Sequence, residues 1–382
     1  MHVNTRPAQP ASEIETIVVR RAPHRYSSHP CVVALADGDW LVAFSETVQA
    51  DPFLHPPSDP RHLNMIARSS DRGRSWDEPR VAPGYDWYGV ETPGIAQLST
   101  EAVLLNQWRF LWYPLEEGRK LWAEGALEAF VCGPVLEPSA HSWHPARSED
   151  DWERHPFSYV RADGGAFVHR SEDGGRTWSS SAKVDIGDYR GAFSPKGAVE
   201  LPDGDLLLPL GSHDYDSAAA SFVVRSTDGG VSWGPPVEVA RQADCVYSEP
   251  AAVVLHDGDV LVFSREENRG HIHASRSADG GRSWLAPVAL PHWGYPAHGV
   301  ALADGRVLVV YGRRRAPFGI RAAVSDDSGR TWSEEIVIRD DLPNDNLGYP
   351  SAIEYEPGRL FTVYYGENSE GVTCIQGTYF AI

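Results

Sequence analysis

The sequence predicts an all-β fold, a six-bladed β-propeller. Three observations predict it: one turn motif occurs five times, its last four copies are evenly spaced, and a second hairpin precedes most copies. The motif reads Ser-x-Asp-x-Gly-x-x-Trp and begins at Ser69, Ser171, Ser226, Ser277 and Ser325. Each copy follows a short β-rich run such as AFVHR or SFVVR. Its Asp and Gly suit a tight turn in which the carboxylate accepts backbone N–H groups.

Successive motif aspartates lie 102, 55, 51 and 48 residues apart, and the last three intervals each fit one blade of four strands. The upstream hairpins CVVALADGDWLVAF, GAVELPDGDLLLPL, AAVVLHDGDVLVF and GVALADGRVLVVY supply the first two strands of their blades. The 102-residue interval holds one such hairpin, PGIAQLSTEAVLLNQW, and then an irregular stretch rich in Trp, His and Pro. It reads as one blade with a long insertion around 113–158; two blades there would make seven. The last hairpin, SAIEYEPGRLFTVYY, and the run GVTCIQGTYFAI give three strands. The early run IETIVVR is expected to complete that blade, closing one propeller domain over 1–382.

Composition agrees, since 35 Gly and 29 Pro in 382 residues favour turns over long helices. A formal charge of −19 argues against nucleic acid and anionic membrane surfaces as partners. The first residues contain no apolar run, and no stretch of about 18 apolar residues occurs, so a cytoplasmic location is expected. Cys31, Cys132, Cys245 and Cys374 lack CxxC spacing and read as free buried thiols. His271 with His273, and His141 with His144, resemble ligand pairs. Neither has a third ligand readable in sequence, so no metal or cofactor is expected.

Strand alternation sorts the loops onto two faces. The 1–2 turns and the motif turns share one face, whereas the heads of the first strands and the 2–3 loops share the other. The second face collects Arg25, Ser28 and His29 from blade one and Glu91 from blade two. Blade three adds Arg190 and Lys196, and blade four adds Glu249 and Arg265. Tyr295, His298 and the loop GRRRAPFGIR come from blade five, and Tyr349 from blade six. The longest loops, 46–64 and 109–167, lie there too. A long-looped face with convergent polar groups is the expected ligand site. Trp87, Trp108, Trp112 and Trp143 suit either sugar stacking or packing between blades.

The five motifs resemble the Asp boxes (BNR repeats) of the sialidase superfamily, and the resemblance covers essentially the whole chain. The segment YSEPAAVVLHDGDVLVFSRE resembles one in which a Glu opens the first strand and an Arg closes the second, here Glu249 and Arg265. YPSAI resembles the segment bearing a nucleophilic tyrosine, here Tyr349. The loop before the fifth box resembles one carrying a substrate arginine; Arg315 is preferred over Arg313, Arg314 and Arg321. The resemblance implies an acid in the first long loop, Asp59 ahead of Asp51. It implies an exo-acting hydrolase of a terminal acidic sugar on an oligosaccharide or glycoconjugate. Sialic-type sugars carry a carboxylate on the anomeric carbon, so a neutral Tyr avoids the repulsion a carboxylate nucleophile would meet.

The chain departs from the family at two places. Ser28-His29-Pro30 stands where relatives carry Arg-Ile-Pro, and a second Arg expected after AFSE is absent. Arg25 is the nearest replacement for the first. His29 there also matches rhamnosidases and rhamnose-glucuronate lyases of similar fold, in which a histidine transfers protons. A noncatalytic glycan-binding propeller is the third reading.

Overall fold

The computed structural model describes residues 9–49, 59–84, 87–133, 143–179, 181–212 and 219–382. They form six antiparallel sheets, one per blade. Blade one contains Arg25–Ala34, Trp40–Val48, Leu63–Ser69 and Arg80–Val81, and blade four contains Tyr247–Val254, Val260–Glu266, His271–Ser277 and Val288–Trp293. The 102-residue interval is one blade, which settles the count at six. Its long strands Val103–Pro114 and Tyr159–Ser171 run past the sheet and carry two short helices, Leu115–Ala123 and Glu149–Arg154. Ser12–Arg20 pairs antiparallel with Thr373–Ala381 as the outer strand of blade six. Gln9–Pro10 adds a parallel strand beside Ile336–Arg339 of blade five, a pairing the sequence did not suggest.

The repeated turns work as staples. In the third box the Ser226 hydroxyl donates to Asp228 Oδ1 at 2.8 Å, and the amides of Val231 and Ser232 donate to the same oxygen at 3.0 and 2.9 Å. Four boxes are preceded by an arginine, and each spans two blades. Arg225 donates to Asp205 of its own blade at 2.6 Å and to the Gly280 carbonyl of the next blade's box. Arg68, Arg170 and Arg276 likewise reach Gly174, Gly229 and Ser328. Box glycines have positive φ because the chain turns back tightly against the preceding blade. A Cβ on Gly281 (φ 82°) would stand 2.6 Å from Leu207 Cδ1. Apolar residues fill the spaces between blades, as where Leu207 and Val223 meet Tyr247, Ala252 and Val262.

Burial opposes ionisation of Asp228, but the hydrogen bonds from Ser232, Ser226 and Val231 hold its carboxyl down to about 2. A carboxylate held below its usual 3.8 adds stability that is complete above that value and disappears as the pH falls toward 2. Asp228→Ala is therefore expected to lower Tm by roughly 2–4 °C at pH 7. Melting curves of the two proteins should converge as the pH approaches 2; a constant gap would show that the carboxylate is not what stabilises the turn.

Candidate functional site

The first strand begins with an X-Pro dipeptide in blades one, two, four and six: His29-Pro30, Thr92-Pro93, Glu249-Pro250 and Tyr349-Pro350. In all four the ladder slips there, between Ser28 and Cys31, Glu91 and Gly94, Ser248 and Ala251, and Gly348 and Ser351. The residue before proline takes φ of 54°, 43°, 50° and 50° respectively. Left-handed backbone is unfavourable for a side-chain-bearing residue and more so before proline, so these bulges store strain. Bulges re-aim side chains. Here they bring the heads of four first strands together.

At the centre the Tyr349 hydroxyl donates to Glu249 Oε1, and Arg265 Nη1 donates to the same oxygen at 2.8 Å. All three side chains are largely buried. Burial and the Glu249 charge push Tyr349 well above the ordinary phenol value, so it rests protonated. Burial works against the Arg265 charge, but Glu249 and Glu267 outweigh it and keep the guanidinium protonated. Arg265 lies over the Tyr295 ring, with Cζ 4.1 Å from the centroid. The His29 ring meets the Tyr349 ring edge-on at 4.1 Å, and its Nδ1 is 2.7 Å from the Ser28 hydroxyl.

Lys196 crosses the axis beneath this group. Its Nζ donates at 3.2 Å to the carbonyls of Pro30 and Tyr349, joining the bulges of blades one and six. Burial pulls its pKa to about 8, opposed by Cys31 and Glu249. The same surroundings push His298 down to about 3, by burial first and then by Lys196. Its neutral Nδ1 accepts the Ala352 amide at 3.1 Å, so it serves as a strut for the strand that carries Tyr349.

Several polar atoms of the cluster have no hydrogen-bond partner among the described residues: both carboxyl oxygens of Glu91, the Thr92 hydroxyl, Glu249 Oε2 and Arg265 Nε. Each is costly to bury unsatisfied. Their convergence suits a ligand rich in polar groups.

Four expected site residues lie elsewhere. Arg315 is exposed and stacks on Trp293 at 3.8 Å, whereas the neighbouring Arg314 enters the cluster. Successive residues of an extended loop project to opposite sides, so a shift of one residue exchanges site for rim. Arg314 donates to the Leu347 carbonyl at 2.9 Å and to the Tyr365 hydroxyl at 3.3 Å, and stands 5.7 Å from the Tyr349 ring. Arg321 is buried within a third strand and donates to the carbonyls of Ile320, Pro317 and Arg339. Arg190 is exposed and pairs with Glu128 of the insertion at 3.0 Å. Arg25 is exposed at the first position of its strand and forms no ion pair among the described residues.

Asp59 is buried, but Arg61 grips both of its oxygens, at 2.9 and 2.8 Å. Asp51 and His141 lie outside the described residues. His271 donates Nδ1 to the His292 carbonyl at 3.2 Å, and His273 Nδ1 is 3.1 Å from the Tyr247 hydroxyl. Among the described residues no three His, Cys, Asp or Glu side chains come together as a metal site. All four cysteines are buried and free. Trp87, Trp108 and Trp143 pack in the interior, and Trp112 is half-buried. Among the described residues no helix is long and apolar enough to cross a membrane.

A six-bladed propeller with box turns on one face and a Tyr–Glu–Arg cluster on the other defines the class. Residues 122–362 match the model of the BNR repeat-like domain family, and the chain belongs to that family, as a sialidase-type β-propeller. It is 22% identical over 307 residues to a sialidase of Bacteroides fragilis strain YCH46. That match takes in 75% of this chain and 51% of the relative, so the chain spans about half the relative's length. A protein of unknown function from Dyadobacter fermentans DSM 18053 superposes with a TM-score of 0.80 at 22% identity, covering 97% of this chain and all of the other. A Hadza microbial sialidase gives 0.63 at 17% identity, over 94% of this chain and 66% of its own.

Proposed function

We propose that the protein is an exo-acting glycosidase that removes a terminal acidic sugar, a sialic or related ulosonic acid, from a glycan. The observation that carries the reading is the hydrogen bond from Tyr349 to Glu249 with Arg265 on the same oxygen. Nucleophile and base stand within proton-transfer reach, and the base is oriented by a third group. Tyr349 attacks the anomeric carbon as its proton passes to Glu249, and Arg265 offsets the charge then shared by the pair. The substrate carboxylate meets two arginines, Arg265 through its unpartnered Nε and Arg314 beside Tyr349. His29 takes the place at which relatives carry a third.

The test is a panel of sialyl, other ulosonyl and rhamnosyl aryl glycosides, together with a rhamnose-glucuronate oligosaccharide. Cleavage of an acidic ketoside supports the reading. Release of an ultraviolet-absorbing unsaturated uronate that His29→Ala abolishes would replace it with the histidine-based lyase, a reading favoured by His29 lying against Tyr349. Glycan binding without turnover would leave a lectin-like propeller. Arg314→Ala is expected to raise KM for the ketoside by roughly 10–100-fold, while Arg315→Ala stays within about twofold of wild type. Steady-state kinetics of both variants check this.

A further inference from the structure

We propose that Glu91, not a residue of the first long loop, protonates the leaving oxygen. This rests on the glycosidase reading above and adds the group that reading lacks.

The reaction needs two carboxyl groups in opposite states: one accepting a proton from Tyr349, the other giving one to the departing alcohol. Environments that push two such groups apart assign the roles. Glu249 accepts from Tyr349 and from Arg265, so it is the carboxylate. Glu91 is fully buried at the head of blade two's first strand, one residue before the left-handed Thr92, and neither oxygen has a partner among the described residues. Two charged groups act on it, Arg161 from the blade's third strand and Glu249 across the axis. Burial is the largest influence and, with Glu249, outweighs Arg161 to lift its pKa to about 8. Glu91 therefore carries a proton at neutral pH.

Asp59 is placed for a different task. Arg61 donates to it from Nε and Nη2 and from its backbone amide, all at 2.8–2.9 Å. A carboxylate held by a bidentate guanidinium is stabilised in its charged form and is a poor proton donor.

The proton balance is complete. In the first half-reaction the bond from Tyr349 Oη to the anomeric carbon forms as the glycosidic bond breaks. The Tyr349 proton goes to Glu249, and the Glu91 proton goes to the leaving oxygen. In the second half, water attacks the anomeric carbon and gives a proton to Glu91, while Tyr349 departs and recovers its proton from Glu249. The net change is hydrolysis.

The experiment compares two ketosides of one sugar, an activated nitrophenyl glycoside and an unactivated alkyl glycoside, across wild type, Glu91→Gln, Glu91→Asp and Asp59→Asn. A lost acid harms the poor leaving group most. Glu91→Gln should slow the alkyl ketoside by about 10²–10⁴-fold and the nitrophenyl ketoside far less, and should remove the alkaline limb of kcat/KM. Glu91→Asp should restore part of the alkyl activity, whereas Asp59→Asn should affect both substrates alike. Leaving-group selectivity in Asp59→Asn, or equal losses on both substrates in Glu91→Gln, overturns the assignment. A wild type that cleaves neither ketoside is a failure of the glycosidase reading itself, and so is told apart from a misassigned acid.

Discussion

Tyr349→Phe is expected to lower kcat for an acidic ketoside by at least about a thousand-fold, with the fold intact. The substitution removes the nucleophilic oxygen and nothing else. The ring keeps its contact with His29, and Glu249 keeps Arg265. The lost hydrogen bond contributes about 1 kcal/mol to folding, too little to unfold a protein of this size. Steady-state kinetics give the rate. Mass spectrometry of substrate-quenched samples should find the sugar attached to a peptide containing Tyr349 in wild type and unattached in the variant. If the variant turns over within tenfold of wild type, tyrosine is not the nucleophile, and the short contact with Glu249 serves packing alone.

The blade architecture was open to reading because it rests on short-range chemistry. Each box closes its own turn through residues within the motif, such as Ser226, Asp228 and Ser232, so its sequence and its structure coincide. The arginine before the box was equally visible in RSSD, RSED, RSTD and RSAD. Its contact lies in the next blade, at Gly174, Gly229, Gly280 or Ser328, and no local pattern reports that. The fifth box has Val324 in that position, and blade six has no box. There the ring is closed by the pairing of Ser12–Arg20 with Thr373–Ala381 instead.

The site was legible where a strand's head or tail fixes the direction of a residue. Glu249 heads a first strand, Arg265 ends a second, and Tyr349 heads another first strand; all three meet. The same grammar identifies Tyr365 near the end of blade six's second strand, beside Arg314, which sequence reasoning passed over. Recurring X-Pro pairs marked the bulges in advance, and Lys196 among them stood out only as a lysine on an otherwise apolar strand. Loops obey no such grammar. Arg314 and Arg315 differ by one position in a run of three arginines, and only packing against Leu347 and Trp293 separates them. Likewise, nothing in the string DPRHLN says that Arg61 folds back onto Asp59.

Glu91→Gln is expected to make the protein more stable at pH 8 and to leave it nearly unchanged near pH 4.5. In the unfolded chain this carboxyl ionises near 4.5; in the folded protein burial holds the proton until about 8. Between those values the folded state binds more protons than the unfolded state, so wild-type stability falls as the pH rises. The full interval is worth up to ~5 kcal/mol, and ~3–5 kcal/mol is the expected span of the difference between variant and wild type. Glutamine cannot ionise and keeps nearly the same volume. Whatever its amide loses by burial without partners is the same at every pH, so the slope isolates the carboxyl. Other groups titrate identically in the two proteins, except as Arg161 and Glu249 respond to the missing charge. Thermal melts across pH 4.5–8 read the result directly. A difference that widens with pH fixes Glu91 as a protonated acid in the resting protein. A flat difference means the carboxyl is already ionised in the fold, with Arg161 neutralising it, and the proton for the leaving group must come from elsewhere.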